Sequence, residues 1–269
     1  MQRIGKGKGP REFKITEVPG QLATQEQLAM LVTRYVFAKS FSRDRVVVEV
    51  ACGGGQGLRF VAGVASFCVG GDLDIDALLL PGWAGRSPGR VSRVQLDAHL
   101  LPFRDASVDV VVLFDSIYWL RSAETFACEC RRVLKSGGQA LISTVNTAWK
   151  EFVPSPYGTR YLSATELRNL FCEAGFAVTL YAAFPVDGKK PMAGVVSLIR
   201  RFASRLGLIP TGIRAKEALK RVFYGELKQI PAQICEGTAP WLSPQQMGNP
   251  SDGDGFKLLY MKAEKTAGD

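Results

Sequence analysis

The fold of this chain is decided by the stretch VVVEVACGGGQG, residues 46–57. Its run of valines, followed by the acid Glu49 and a cluster of glycines, predicts a buried strand that enters a tight turn and then a helix. Gly53 and Gly55 allow the backbone to turn sharply and leave no side chain between it and a ligand. Such a strand–loop–helix unit handles nucleotides in doubly wound α/β folds, whereas the plainer interpretation is a glycine-rich turn after any buried strand.

Two other nucleotide-binding loops are excluded by the residues of this stretch. Ala51 stands where the dinucleotide fingerprint requires its first glycine, which argues against a nicotinamide-dependent reductase. A phosphate loop would continue with Gly-Lys-Ser or Gly-Lys-Thr, and here the loop continues with Gln56 and Gly57.

The next strand is predicted over residues 67–72, and it ends in an acid. Asp72 lies 23 residues after Glu49, a position suited to accept hydrogen bonds from ribose hydroxyls. Asp74 and Asp76 follow closely and are alternatives. Asp72 is preferred because Asp76 has the character of a helix N-cap.

A third and a fourth strand are predicted over residues 91–96 and 108–114, joined by a segment that again begins with an acid. The chain reads DAHLLPFRDASVDVVVLF from Asp97 to Phe114. Asp97 can accept a hydrogen bond from the exocyclic amine of adenine, and the Leu-Pro-Phe at 101–103 can cover an apolar face. The unbroken apolar run of the fourth strand predicts full burial.

Capping and glycine signals place the helices. The capping box at Thr24 predicts a helix of about four turns before the first strand, and the one at Ser163 predicts a helix that ends at Gly175. A short helix is expected over 56–65, and another is expected to end in RRVLKSGG, residues 131–138, with a left-handed glycine and Lys135 at its end. The remaining strands are predicted over 139–145, 176–184 and 256–262.

Taken together, these motifs resemble the class I S-adenosylmethionine-dependent methyltransferases, in a type 11-like form. The resemblance rests on Glu-x-Ala-x-Gly-x-Gly at 49–55, the acid at 72, the segment 97–114 and RVLKSGG at 132–138. The chain departs from the family pattern at Val108, where phenylalanine is usual, and at Ser136, where proline is usual. The resemblance implies a Rossmann-like α/β fold: a seven-stranded, mostly parallel, doubly wound sheet with a helical insertion before the last strand.

The resemblance also implies S-adenosyl-L-methionine as cofactor and a set of residues that bind it. The predicted cofactor-binding residues are Glu49, Ala51, Cys52, Gly53, Gly55, Asp72, Leu73, Asp97, Ala98, Phe114, Arg34 and Tyr35. The helix that carries Arg34 and Tyr35 would lie over the cleft and touch the methionine end, although a Tyr35 that faces the core fits the pattern equally well. The amide groups at the start of the helix near Gln56 could hold a carboxylate.

Methyl transfer from a sulfonium is an in-line displacement, so the protein has to align the acceptor and exclude water. A hydroxyl acceptor also benefits from a general base, for which the candidates are Asp115, Tyr118 and His99. His99 has the most suitable intrinsic pKa, but its position next to Asp97 favours packing or contact with the adenine edge. Asp115 follows a parallel strand at the end where ligands bind.

The basic residues divide the chain into segments. Of a net charge of +9, much lies in residues 1–14, with five basic residues and one acid, and in 185–234, with ten basic residues and three acids. We predict a basic arm over 1–23, the methyltransferase core over 24–184, a basic helical insertion over 185–255, and the last strand and tail over 256–269. The insertion has three interpretations: a solvated roof over the site, a peripheral contact with phosphate or anionic lipid, and RNA binding.

The acceptor is predicted to be a small molecule. A weak similarity around residues 17–35 and 219–225 to methyltransferases of bacterial polysaccharide and glycolipid assembly favours O-methylation of a sugar, with a phosphate-bearing or lipid-linked acceptor. Natural-product or lipid methylation is the alternative. RNA is disfavoured because the chain lacks the signatures of RNA-binding modules. A non-catalytic protein that binds the cofactor would keep the same loop.

Composition excludes several other classes. The chain of 269 residues is 46% hydrophobic, which allows a full core. Six scattered cysteines and the single histidine, His99, supply no zinc site, so we expect no metal. No apolar run reaches the roughly 18–20 residues of a membrane span, and the N-terminus lacks the apolar core of a secretory leader. We therefore expect a cytoplasmic protein with free thiols, peripheral at the inner membrane face if the insertion binds lipid.

Overall fold

The computed structural model describes residues 17–80, 90–186 and 226–266. Its helices and strands, in chain order, are β1 (Leu22–Ala23), α1 (Gln25–Ser40), β2 (Val46–Val50), α2 (Leu58–Ala62), β3 (Phe67–Asp72), β4 (Val91–Gln95), β5 (Val108–Phe114), α3 (Ala123–Val133), β6 (Leu134–Val145), α4 (Ala164–Glu173), β7 (Phe176–Pro185), β8 (Lys228–Gln229), β9 (Gln245–Gln246) and β10 (Phe256–Lys265). In these ranges, no helix has both the length and the apolar character needed to cross a membrane.

One mixed sheet organises the described chain, with the strand order β4-β3-β2-β5-β6-β10-β7-β9. The pairs from β4 to β6 are parallel, and β10 runs antiparallel between β6 and β7. This confirms the predicted Rossmann-like, mostly parallel fold. The two-residue β9 is an eighth strand beyond the seven predicted, and β1 pairs separately with β8.

The sheet is buried on both faces because the side chains of its central strands alternate between two apolar clusters. Val48 and Val111 point to a cluster shared with Phe126 of α3 and Phe171 of α4. Val47 points to the opposite cluster, which includes residues of α1 and α2. This is the layering expected of strands with near-continuous apolar sequences.

Both predicted capping boxes are present. The Thr24 hydroxyl accepts from the Gln27 amide at 3.1 Å, and the Gln27 side chain accepts from the Thr24 amide at 3.1 Å. Ser163 and Glu166 exchange the same pair of bonds at the start of α4. These bonds satisfy amide groups that helix starts otherwise leave unpaired.

The prediction of a glycine cap after α3 is wrong. The helix ends at Val133, and Leu134 already adopts an extended conformation and pairs with Val108. Leu134 is fully buried, so its place in the sheet outweighs one more helical turn. Gly137 has a positive φ of 71° but lies within β6, at a shift of register, and Lys135 binds Asp109 at 2.8 Å instead of the helix end.

The helix after the glycine loop is shorter than the predicted 56–65. It covers only Leu58–Ala62, because the loop first closes a turn in which the Gly55 amide donates to the Cys52 carbonyl at 3.0 Å. Asp76 occupies an N-cap position as predicted, but not that of a full helix. It precedes a single 3₁₀ turn, Ala77–Leu79, and within the described residues its side chain makes no capping hydrogen bond.

The described residues 17–23, at the end of the predicted arm, lie against the chain at 226–240. The Gly20 amide donates to the Ile230 carbonyl at 2.8 Å, and the Ile230 amide donates to the Gln21 carbonyl at 2.8 Å. Residues 1–16 of the predicted arm and residues 187–225 of the predicted helical insertion fall outside the described residues. The domain boundaries therefore remain a prediction.

Candidate active site

A cleft of about 450 Å³ opens at the carboxyl ends of the parallel strands, within the size range of small-molecule sites. The predicted site residues line it with the exception of Gly55; they are Arg34, Tyr35, Glu49, Ala51, Cys52, Gly53, Asp72, Leu73, Asp97, Ala98, His99, Phe114, Asp115 and Tyr118. The structure thus brings these residues together, and their individual roles remain predictions.

The glycine loop follows β2 and is tied to the acid that ends β3. Three of its residues have a positive φ: Ala51 at 55°, Gly53 at 53° and Gly55 at 67°. The Gly53 amide donates to Asp72 Oδ2 at 2.9 Å, and the Asp74 amide donates to Asp72 Oδ1 at 2.9 Å. Burial raises the pKa of the Asp72 carboxyl above its ordinary value, against the effect of these two bonds. The carboxylate is fixed in place before any ligand binds.

Asp97 belongs to a second network, with His99 and the segment that follows β5. The His99 backbone amide donates to Asp97 Oδ1 at 2.9 Å, and Arg121 binds Oδ2 at 3.1 Å. The His99 ring Nδ1 lies 2.5 Å from Asp97 Oδ1, and its Nε2 accepts from the Ser122 amide at 3.2 Å. Since Nε2 is an acceptor, Nδ1 carries the proton in the neutral ring. The hydrogen bond from the His99 backbone amide, and after it the hydrogen bond from the His99 ring, hold the pKa of Asp97 below its ordinary value.

Glu49 is a buried carboxylate at the centre of the cleft. The Tyr35 hydroxyl donates to Glu49 Oε1 at 2.7 Å, and Oε2 has no hydrogen-bond partner among the described residues. Burial raises the pKa of Glu49 to about 7. The Tyr35 ring is itself buried and contacts the Phe114 ring edge-on at a centroid distance of 5.7 Å, so it both packs in the core and lines the cleft.

Arg34 is held by two carboxylates from distant parts of the chain. Its Nη1 lies 2.6 Å from Asp115 Oδ2, and its Nη2 lies 2.6 Å from Glu17 Oε2. Asp115 adopts a positive φ of 44°, and its Oδ1 accepts from the Ser143 hydroxyl at 3.1 Å. Both oxygens of Asp115 therefore already have a partner. The Arg34 side chain is only 5% exposed, whereas the side chains of Glu17 and Asp115 are 34% and 25% exposed, so a buried cation binds two carboxylates that reach the cleft.

Tyr118 lies in an aromatic group beside Asp115. Its ring stacks on Tyr161 at 4.8 Å with an interplanar angle of 18°, and it lies 5.5 Å from the Trp119 ring. Burial, and then the charge of Asp115, raise the pKa of the Tyr118 phenol well above its ordinary value. The phenol therefore stays protonated at neutral pH and can donate a hydrogen bond.

Sequence reasoning missed several further residues of the cleft, among them Glu17, Gln56, Trp119 and Arg121. Trp119 and Arg121 could have been found, because they follow Asp115 in a loop at the ligand end of a parallel strand. Glu17 and Gln56 carry no local signal. The Gln56 side chain donates to the Glu17 carbonyl at 2.5 Å, a contact across 39 positions.

The residues present fit an adenosyl ligand with an amino-acid tail. The positive-φ loop permits close approach of its backbone, and the unpartnered Glu49 Oε2 suits an ammonium group. Leu73, which is 66% exposed in the cleft, offers an apolar surface to a purine face. Within the part of the chain that the structure describes, no three His, Cys, Asp or Glu residues are placed to hold a metal ion.

The sequence is similar to those of known methyltransferases. Residues 48–142 match the family model described as a methyltransferase domain. A probable S-adenosylmethionine-dependent methyltransferase of Mycolicibacterium smegmatis is 40% identical over 138 residues, which cover 50% of this chain and 52% of the relative. A ubiquinone biosynthesis O-methyltransferase of Methylococcus capsulatus is 27% identical over 145 residues, which cover 53% and 61%. The chain spans about half the length of the first of these relatives.

A solved structure shows the same fold. The SAM-dependent methyltransferase of Thermotoga maritima, described as a possible histamine N-methyltransferase, superimposes with a TM-score of 0.56 at 15% identity and covers 88% of this chain and 90% of that one. The described chain has the Rossmann-like methyltransferase fold, and its residues 48–142 match the methyltransferase domain.

Proposed function

We propose that this protein is an S-adenosylmethionine-dependent methyltransferase that acts on a small-molecule acceptor. The observation that carries the proposal is the convergence of the glycine loop, Asp72 and Asp97 on one cleft. The strand order places the ends of β4, β3, β2 and β5 side by side, so these groups follow one another along the edge of the sheet. This is the crevice in which open parallel sheets bind ligands.

Bound S-adenosylmethionine would supply an electrophilic methyl group on a sulfonium. In this proposal the loop from Ala51 to Gly53 holds the ligand, Asp72 accepts from the ribose and Asp97 accepts from adenine. A carboxylate has about four lone-pair positions, so the bonds that Asp72 and Asp97 already make leave acceptor capacity. The walls of the cleft would exclude water from the reacting groups.

Among the three candidate bases, Asp115 is the one we retain. His99 uses both ring nitrogens within the protein, and Tyr118 keeps its phenolic proton at neutral pH. Asp115 lines the cleft and is oriented by Arg34 and Ser143. We propose that it accepts a hydrogen bond from the acceptor hydroxyl and that alignment contributes most of the catalysis.

For the acceptor, we propose O-methylation of a sugar or of a glycolipid or polysaccharide precursor. The ten basic residues of 185–234 suit a phosphate-bearing or lipid-linked acceptor, and they are also the basis for proposing a peripheral membrane contact. The six free cysteines are the basis for proposing a cytoplasmic location. The similarity to a ubiquinone biosynthesis O-methyltransferase favours a second candidate, a phenolic or lipid-like hydroxyl. Both are oxygen acceptors, and RNA remains the less favoured class.

The first test is binding of S-adenosylhomocysteine to the full chain, measured by isothermal titration calorimetry. We expect Asp72→Asn to weaken binding by about tenfold or more, because each good polar contact in a dry site is worth about 1.4 kcal/mol or more. Asp76→Asn is the matched control: this acid lies four residues away and is not among the cleft residues. Equal affinities for the two variants would contradict the assignment of Asp72.

The second test is methyl transfer from labelled S-adenosylmethionine to a panel of sugars, glycolipids, phenols and RNA. Transfer to a hydroxylated small molecule, lost in Asp115→Asn with cofactor affinity retained, is the expected result. Tight cofactor binding with no transfer to any class would indicate a non-catalytic binding protein instead. Lack of cofactor binding would overturn the proposal entirely.

A further inference from the structure

Beside the groups assigned to the cofactor, the cleft has an aromatic wall formed by Tyr118 and Trp119. Both residues line the cleft next to Asp115 and Ser116, in the 3₁₀ turn Ile117–Trp119. Neither belongs to the motifs on which the methyltransferase resemblance rests. Their place beside Asp115, the proposed base, makes them available to the acceptor.

The wall is rigid because a second segment of chain packs against it. The Tyr161 ring stacks on Tyr118 and contacts Phe152 edge-on at 4.9 Å. The Tyr161 hydroxyl accepts from the Ser155 amide at 3.0 Å, which fixes the position of the ring. A Cβ on Gly158 would lie 2.7 Å from the Tyr161 ring, so the backbone approaches this ring closely.

Backbone bonds join the same two segments. The Thr159 amide donates to the Tyr118 carbonyl at 2.7 Å, and its hydroxyl donates to the Trp119 carbonyl at 3.5 Å. The Trp119 amide donates to the Ser116 carbonyl at 3.0 Å. The aromatic wall is thus fixed by contacts with Thr159 and Tyr161 before an acceptor binds. Preorganisation of this kind lowers the entropy lost on binding.

Two polar groups beside the wall have a fixed hydrogen-bonding role, one as an acceptor and one as a donor. Asp115 is oriented by Arg34 and Ser143, and the Tyr118 phenol remains a donor. The Tyr118 and Trp119 rings are tilted by 50° to each other, and an aromatic ring next to one oriented carboxylate suits a ligand that has a flat face and a hydroxyl at its edge. Linear polyols have the hydroxyl but lack the flat face.

From these observations we infer that Tyr118 and Trp119 are specificity-determining residues that select a ring-bearing, hydroxylated acceptor by stacking. The inference rests on the proposed function and narrows its acceptor class. A hexose ring, through its C–H face, and a phenol ring, through its π face, share this chemistry. Linear alcohols would not be bound by this contact, because they have no ring face to stack.

The test is saturation-transfer NMR on the full chain saturated with S-adenosylhomocysteine. The probes are methyl α-rhamnopyranoside and catechol as the two ring chemistries, and 1,2-propanediol as the linear control. We expect saturation of the ring protons of at least one ring probe, and none of 1,2-propanediol. Which of the two ring probes binds distinguishes a sugar acceptor from a phenolic one.

Two substitutions separate stacking from general stability. In Trp119→Leu we expect the affinity for the ring probe to fall about fivefold, the amount that one aromatic contact contributes, with the affinity for S-adenosylhomocysteine unchanged. Tyr118→Phe keeps the ring and should retain the probe. Trp241→Leu is the control, since that tryptophan is 50% exposed and is not among the cleft residues.

The inference is overturned if neither ring probe binds, if 1,2-propanediol binds equally well, or if Trp119→Leu binds the ring probe as the wild type does. These results would leave the proposed methyltransferase function intact, because binding of S-adenosylhomocysteine is measured in the same samples. Failure of that binding would instead overturn the proposed function and the inference with it.

Discussion

Glu49 places a negative charge where the surrounding structure does little to stabilise it. The residue is 3% exposed, Tyr35 donates to one of its oxygens, and the other is unpartnered among the described residues. Burial is the main cause that raises its pKa from 4.5 to about 7, with the charge of Asp72 acting in the same direction and Arg34 acting against it. The folded protein therefore holds this proton to a higher pH than the unfolded chain does.

We expect the sign of this effect to appear in the pH dependence of stability. Between pH 4.5 and pH 7 the folded state binds more protons than the unfolded state, so the contribution of Glu49 to the free energy of unfolding falls as pH rises, by up to roughly 3 kcal/mol. Glu49→Gln should remove this decrease. Urea unfolding without ligand, at pH 4.5, 6 and 8, measures it.

Glu129→Gln is the control of opposite sign. The bond from Arg132 holds the pKa of Glu129 below its ordinary value, so this residue stabilises the fold above pH 4.5 and its loss should lower stability at pH 8 rather than raise it. Parallel pH profiles for Glu49→Gln and the wild type would contradict the prediction.

Arg34 is a buried cation whose removal deprives Glu17 and Asp115 of their charged partner. We expect Arg34→Met to lower the free energy of unfolding by about 1.5–3 kcal/mol, the worth of hydrogen bonds to charged groups, because the two carboxylates are 34% and 25% exposed and stay partly solvated. Lys39→Met, on the same helix, should change it by about 1 kcal/mol or less, since its partner Glu236 is 87% exposed. Urea unfolding at pH 7.5 compares the two, and equal losses would refute the prediction.

At the scale of the element, the packing of α1 on the glycine loop depends on Gly57. A Cβ there would lie 2.2 Å from the Tyr35 ring, although the φ of −101° is open to any residue. We expect Gly57→Ala to cost about 1–3 kcal/mol by overpacking and to weaken S-adenosylhomocysteine binding by displacing Tyr35 from Glu49. Thermal unfolding and calorimetry measure the two effects.

Gly255→Ala provides the matched control for that substitution. An added Cβ at Gly255 meets nothing within 4 Å, so this variant should be neutral or slightly more stable. A Gly57→Ala variant as stable as Gly255→Ala would show that Tyr35 can move without cost.

The elements that sequence reasoning predicted correctly are those with a complete local signal. β3 and β5 match the predicted 67–72 and 108–114, and both capping boxes form as expected. The end of α3 was predicted wrongly because Gly137 has the left-handed conformation of a helix cap but lies within β6, where the register with β5 shifts. A local pattern cannot distinguish the two, since pairing of Leu134 with Val108 decides between them.

The residues of the cleft, like the helices and strands, could be predicted only where the local sequence carries the signal. Asp72, Asp97 and Asp115 could be predicted because each follows a parallel strand, and the carboxyl ends of these strands meet at one edge of the sheet. Glu17 could not, because its contact with Arg34 depends on how residues 17–23 dock on α1. The occupation of both His99 nitrogens likewise follows from a bond to Ser122, 23 positions away.

Across the whole molecule, two segments that are distant in sequence, 17–23 and 226–240, meet over α1. Ala23, Ile230, Ile234 and Ala239 share one apolar cluster with residues of α1 and α2. The Ile234 amide donates to the Gln56 carbonyl at 2.8 Å, and the Gln56 side chain binds the Glu17 carbonyl. The segments at 17–23 and 226–240 therefore support the cleft from outside the sheet, through Gln56 and Glu17.

This coupling predicts a local effect of Ile230→Ala. Ile230 is 4% exposed, and its backbone exchanges bonds with Gly20 and Gln21. Loss of its side chain should loosen residues 17–23 without opening the central sheet, because segments with few buried contacts unfold separately from the core. We expect hydrogen exchange at the Gly20 amide to accelerate about tenfold or more, while amides of β5 keep their protection relative to the global stability.

Leu162→Ala is the control, since Leu162 is equally buried in the cluster on the opposite face of the sheet. It should reduce protection in proportion to global stability and show no preference for Gly20. If Ile230→Ala also weakens S-adenosylhomocysteine binding by a few fold, Glu17 and Gln56 act on the cleft through this docking, because neither residue is itself changed. Equal exchange at Gly20 in both variants would mean that residues 17–23 are held by Arg34 and Gln56 alone, and that the chain at 226–240 packs on the core without influencing the site.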